Sequence, residues 1–169
     1  MPDETPVFLV DPYSNPVAIR ISGRASFQNV VPLKEFLKNA YANGKRDFVF
    51  DFSQCAGMDS TVLGVLAGCA LELRRLTPKG SLVLSRLSDR NLELVKNLGL
   101  HRIATVDTGG AGSGSGGATT ALSAEQLTEL ENARLCLEAH ENLVEADSEN
   151  REKFQDVIAY LKNRVEDES

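Results

Sequence analysis

Asp59 and Ser60 bring a carboxylate and a hydroxyl to the start of a helix of small residues, the segment of this chain best suited to chemistry. They lie in the stretch Asp51-Phe52-Ser53-Gln54-Cys55-Ala56-Gly57-Met58-Asp59-Ser60-Thr61-Val62-Leu63-Gly64. The first turn of a helix leaves backbone N–H groups unpaired and carries partial positive charge. Asp59 suits the N-cap, which places Ser60 in the first turn. A phosphate on that hydroxyl would gain hydrogen bonds and charge–dipole stabilisation. The same position is expected to keep the hydroxyl near solvent, within reach of a kinase. A second reading stays open on these residues alone, in which Asp59, Ser60 and Thr61 only cap the helix. Other reactive groups are sparse. Cys55, Cys69 and Cys136 are far apart in sequence, and the two histidines are His101 and His140. There is no CxxC pair, so neither a structural zinc site nor a disulfide framework is expected, and no cofactor is implied. Cys136 is expected to be a packed small residue and His140 to be solvated.

The elements that must position Asp59 and Ser60 alternate between strand and helix. Phe8–Val10 and Val17–Ile21 are strand candidates, joined by the turn-rich Asp11-Pro12-Tyr13-Ser14-Asn15-Pro16, with Gly23 ending the second. Val31–Tyr41 has helical spacing and stops at Asn43-Gly44. Phe48–Phe52 is short and apolar, as in a central strand covered on both faces. A polar loop is expected to follow it, up to Asp59. The helix that begins there is apolar around most of its circumference through Leu76, with Gly64, Ala67, Gly68 and Ala70 permitting close approach of a neighbour. Ser81–Ser85 is another strand, Asp89 opens a third helix with Gly99 beyond its end, and Ile103–Val106 is an edge strand. The predicted order is β-β-α-β-α-β-α-β, an α/β fold with parallel crossovers. Leu63, Ala67, Ala70, Leu71, Phe48, Phe50, Val83 and Leu92 are the expected core.

Asp51-Phe52-Ser53, followed by Met58-Asp59-Ser60-Thr61 and Leu63-Gly64-Val65, resembles the signature of STAS domains of the anti-sigma factor antagonist type. The resemblance spans about residues 6–107, and the element order fits a STAS-like mixed sheet. It implies a bacterial, cytoplasmic regulatory module that is a kinase's substrate and not an enzyme. Ser60 matches the phosphoacceptor, and Thr61 the neighbour that is the acceptor in some relatives. Asp59 matches the acidic residue that orients the hydroxyl, with Met58 and Val62 beside it, and Asp51 the aspartate of the central strand. The implied partners are an anti-sigma factor or a histidine-kinase-like serine kinase, with a phosphatase to reset the switch. Two positions depart from the pattern. Val62 stands where glycine is usual and is expected to crowd a partner's approach. Ser26 replaces an aspartate near the acceptor and lightens the local negative charge. An alternative within the family is a scaffold or subunit that binds partners or a small ligand without being phosphorylated, for example in a lipid-transport or signalling assembly.

The remainder of the chain differs in chemistry. Residues 1–107 carry 13 basic and 11 acidic side chains, a balance of +2, whereas residues 108–169 carry 5 and 13, a balance of −8. Between them lies Gly109-Gly110-Ala111-Gly112-Ser113-Gly114-Ser115-Gly116-Gly117, expected to be a flexible linker over 108–120. An acidic amphipathic region follows at 121–167. Ser123 and Gln126 suit a capping box. Leu127, Leu130, Leu137 and Val144 form one apolar stripe, and Phe154, Val157, Ile158, Leu161 and Val165 another. The region is either one long helix or, more economically, a helical hairpin with a break near 147–150, and docking on the first domain or dimerisation is its expected use. The net charge of −6 disfavours nucleic acid, and no apolar run is long enough to insert in a membrane.

Overall fold

A computed structural model describes residues 6–107, 117–123 and 126–168. The expected linker falls largely outside the described residues. The elements over residues 6–107 follow the predicted order: β1 (Phe8–Asp11), β2 (Val17–Ala25), α1 (Val31–Ala42), β3 (Asp47–Met58), α2 (Ser60–Arg75), β4 (Ser81–Ser85), α3 (Asp89–Asn97) and β5 (Thr105–Asp107). A further short strand, β6 (Thr120–Ala121), precedes α4 (Glu129–Ala146) and α5 (Asn150–Glu168). The sheet has the order β5-β4-β3-β2-β1-β6. Strands β2 to β5 run parallel, while β1 is antiparallel to both β2 and β6. The chain therefore has a mixed α/β fold with a helical C-terminal region.

Two central strands are longer than their apolar cores indicate. β2 does not stop at Gly23, and β3 does not stop at Phe52. Pairing continues with register shifts through Gly23–Cys55, Arg24–Gly57 and Ala25–Met58. Gly23 holds φ at +83°, a conformation open to glycine without strain. The expected loop before Asp59 is thus an irregular extension of the sheet that delivers Met58 to the start of α2.

Phe48, Phe50 and Phe52 point to the helical side and are fully buried with Ile19, Ile21 and Leu84. All five helices contribute to that main apolar cluster, α5 through half-buried Phe154. Among the described residues, the opposite face of the sheet carries a small cluster of Ala18, Val49 and Ala118, with Val83 against it. The expectation of a sheet covered on both faces is corrected: among the described residues the helices pack on one face. The expected core holds at Leu63, Ala67, Ala70, Phe48 and Phe50, while Leu71, Val83 and Leu92 are half-buried.

Helix α2 occupies the middle of three layers, with the sheet below it and α4 above. Ten of its residues are buried, from Thr61 to Leu73. An all-round apolar helix requires burial on more than one side, and α4 supplies the second side. Gly64 and Gly68 form the contact: a Cβ at Gly64 would collide with the Ala139 carbonyl, and one at Gly68 with the Asn142 amide. The Asn142 Nδ2 donates to the Gly64 carbonyl at 3.2 Å.

The α4–α5 hairpin breaks where expected, but its details differ. The capping box is Thr128–Glu131, not Ser123–Gln126. Glu131 Oε1 accepts from Thr128 N at 2.9 Å and Thr128 Oγ1 from Glu131 N at 3.1 Å. The buried row is Leu135, Ala139 and Leu143, four residues apart, whereas Leu130, Leu137 and Val144 are half-buried. Close approach to glycines selects the row that contains Ala139. Fully buried Asn150 ties the turn down, donating to the carbonyls of Leu98 (2.9 Å) and Leu143 (2.8 Å).

Candidate functional site

Asp59 caps α2 as its sequence context predicts. Its Oδ1 accepts from Val62 N at 3.0 Å, and its backbone lies outside the helical region. The other carboxylate oxygen accepts from Phe27 N at 2.8 Å, while Asp59 N donates to the Ala25 carbonyl at 3.3 Å. One side chain thus joins the start of α2 to the loop between β2 and α1. Ser26 lies on that loop, next to Phe27, within its own turn: Ser26 N donates to Asn29 Oδ1 at 2.9 Å and Ser26 Oγ accepts from Gln28 N at 3.2 Å.

Ser60 occupies the first turn of α2, but its hydroxyl is not free in solvent. The Oγ lies 2.9 Å from His140 Nε2. The other ring nitrogen, Nδ1, is 2.6 Å from the Cys136 carbonyl. A carbonyl can only accept, so Nδ1 carries a proton, and in the neutral tautomer this selects, Nε2 accepts from Ser60. Phe154 of α5 presses on the imidazole, with centroids 4.9 Å apart and rings at 69°. His140 is buried, which corrects the expectation that it is solvated. The packing of α4 over α2 explains the difference. Ser60 and His140 are 80 positions apart, and no local signal links them.

Thr61 is also engaged. It is buried and its hydroxyl donates to Cys136 Sγ at 3.6 Å. Burial raises the Cys136 thiol pKa, partly offset by this bond, and burial likewise raises that of Cys55. Val62 is fully buried in the core. Buried Met58, with Leu63, Leu94, Leu98, Lys153 and Phe154, lines a shallow cleft of about 480 Å³ beside Ser60.

The structure does not bring Asp51 to this site. It is buried in mid-strand, seven residues before Met58, roughly 20 Å away at strand spacing. Its Oδ1 accepts from Ser53 N at 2.8 Å, and its Oδ2 is 3.8 Å from Arg86. Among the described residues, no cluster of histidine, cysteine and acidic side chains could hold a metal ion. No described helix is long and apolar enough to cross a membrane.

Chemically, a serine hydroxyl donating to an oriented imidazole is the pairing in which histidine acts as a base. Here the ring is buried under Phe154, so the pairing serves to hold the hydroxyl against α4.

The model of the family described as "Mlab, STAS domain" matches residues 9–107, more than half of the chain. The chain belongs to the STAS domain family. Among solved structures, the phosphorylated form of the Bacillus cell fate determinant SpoIIAA is similar at 21% identity and a TM-score of 0.50. That match covers 60% of this chain and 92% of SpoIIAA. The unphosphorylated form, described as an anti-sigma factor antagonist, matches at 20% identity and a TM-score of 0.47, over 53% of this chain and 81% of the other. No curated protein matches the sequence. The family match and the likeness to the phosphorylated form show the fold alone, and α4 and α5 lie beyond the family match.

Proposed function

We propose that this STAS protein is a regulatory protein-binding module of the anti-sigma factor antagonist type, switched by phosphorylation at Ser60. The observation that carries the reading is the placement of Ser60 in the first turn of α2, behind an Asp59 that both caps the helix and holds the neighbouring loop. A phosphate there meets the positive end of the helix. The expected partner is an anti-sigma factor or a histidine-kinase-like serine kinase using ATP. Ser60 Oγ bonds to the γ-phosphorus as the bridging bond to the β-phosphate breaks. ADP leaves with the electron pair, and the kinase's base takes the hydroxyl proton. The new charge opposes an interface built around a neutral serine, and a phosphatase restores it. In this role the chain is a substrate and not a catalyst.

The test is phosphate incorporation by a kinase recovered from native extract. Wild type is expected to label and Ser60→Ala to lose the label, with Thr61→Ala nearly unchanged. Full labelling of Ser60→Ala would sink the assignment.

One observation favours the alternative of a scaffold or subunit that is not phosphorylated: Ser60 and Thr61 both give their hydroxyls to α4. Capture of a membrane transport assembly in place of a kinase would support it. Dimerisation through the hairpin would use the outer face of α5, where Val157 and Tyr160 are exposed.

A further inference from the structure

The surface around Ser60 already holds an occupant, and that occupant is helical, acidic and small at its point of contact. Ala139 sits over Gly64, Asn142 reaches the Gly64 carbonyl, and His140 and Cys136 take the Ser60 and Thr61 hydroxyls. At the flanks, Glu138 pairs with Lys34 at 2.7 Å, and Glu145 pairs with Arg75. We infer that the α1–α2 face is a helix-docking surface, that α4 is its resident ligand in cis, and that a phosphate on Ser60 and a docked α4 exclude one another. The inference rests on the reading of Ser60 as a modified residue and adds what controls access to it.

Volume and charge both support the exclusion. The Ser60 oxygen is already at hydrogen-bond distance from the imidazole, which is fixed on its other sides by the Cys136 carbonyl and Phe154. A phosphorus with three oxygens does not fit into that contact. It would add about −1.5 to −2 charges at pH 7. Helix α4 carries five glutamates against the single basic Arg134, so the helix as a whole is of like charge, although Glu138 and Glu145 are paired with Lys34 and Arg75 and Lys153 of α5 lines the cleft beside Ser60. Val62 N stays with Asp59, but the start of α2 keeps its partial positive charge toward the phosphate, so the sheet and helices beneath keep their fold. By linkage, whatever a Ser60 phosphate costs α4 docking, a docked α4 costs phosphorylation by the same factor. A partner that opens the face displays what α4 displays: an acidic helix, a small residue at the crossing and an acceptor opposite Ser60.

The full chain carrying phosphoserine at position 60, installed during translation, provides a test that needs no kinase. Amide hydrogen exchange is compared among this protein, wild type and Ser60→Ala, which loses only the hydrogen bond. The phosphoserine protein is expected to exchange at least tenfold faster than Ser60→Ala over Ala133–Leu143, while β2, β3 and β4 stay protected. Exchange equal to or slower than that of Ser60→Ala overturns the inference, the slower case meaning that His140 takes a proton and pairs with the phosphate. Loss of protection throughout the strands also overturns it, since α4 would then not be separable from the domain. Failure of kinase labelling would count against the functional reading and leave this result standing.

Discussion

Gly64 lies so close under the backbone carbonyl of Ala139 that a methyl group on it would overlap both carbonyl atoms. Backbone is the obstacle, so no side-chain rotation relieves the clash. Gly64→Ala is expected to destabilise the protein by about 1–3 kcal/mol, the usual cost of overpacking. Gly57 is the control, because a Cβ there meets only the end of Arg24 at 3.9 Å. Gly57→Ala should shift the urea midpoint little. Equal midpoints for the two variants would mean that α4 does not rest on α2.

Removal of the Asp59 carboxylate breaks the helix cap and the tie to Phe27 together. Asp59→Ala is expected to cost about 1–2 kcal/mol. Asp59→Asn keeps an oxygen acceptor and should lose less. Besides the denaturation midpoint, the Phe27 amide should exchange faster in the alanine variant, which a loss confined to α2 would not produce.

Leu143 is fully buried on α4 within the main core. Leu143→Ala should therefore cost about 2–5 kcal/mol, as a truncation in an ordinary domain core does. Val157 on the outer face of α5 is 41% exposed, and its truncation should be nearly neutral. Thermal melts of the two variants test whether hairpin and sheet unfold as one unit. A second, lower transition in Leu143→Ala with the sheet unaffected would show that they do not.

Acid should loosen the start of α4. Glu131 is held below its ordinary value chiefly by the backbone and hydroxyl of Thr128. A carboxylate depressed in the folded state contributes stability above its unfolded pKa, about 4.3, and loses it as pH falls through the folded value. Glu131→Gln, which cannot ionise, should remove this part of the pH dependence. Amide exchange over Glu129–Asn132 between pH 5 and pH 3 measures it.

Thiol reactivity should separate the cysteines. Burial pushes the Cys69 thiol up to about 12, so it holds almost no thiolate at pH 8. Native protein treated with an aromatic disulfide reagent should leave Cys69 unlabelled until denaturant is added. Rapid labelling of Cys69 in native conditions would contradict the packing of α2 against Tyr41.

The order of strands and helices over 6–107 is legible because each element carries its own period and its own stop, from Phe48–Phe52 to the Asp59 cap. The extensions of β2 and β3 are not, since Ser53, Gln54 and Ala56 are polar or small, and Ser53 and Ala56 fall at register shifts that no pattern announces. The stripe on α4 was misplaced because Leu137 and Val144 outrank Ala139 in hydrophobicity, whereas the contact selects small size. The clue to the covered face was present in α2 itself, whose glycines and all-round apolarity call for a close neighbour on the side away from the sheet. Nothing in the sequence names His140 as part of that neighbour.

The bond from His140 Nδ1 to the Cys136 carbonyl also gives the molecule an internal gauge. The chain has two histidines, and the other, His101, is exposed. Nitrogen-15 spectra of the imidazoles thus contain one ring tumbling in water between tautomers and one locked with its proton on Nδ1. The second signal belongs to the closed arrangement alone. Its collapse onto the first would count open molecules directly, in solution and without an attached probe.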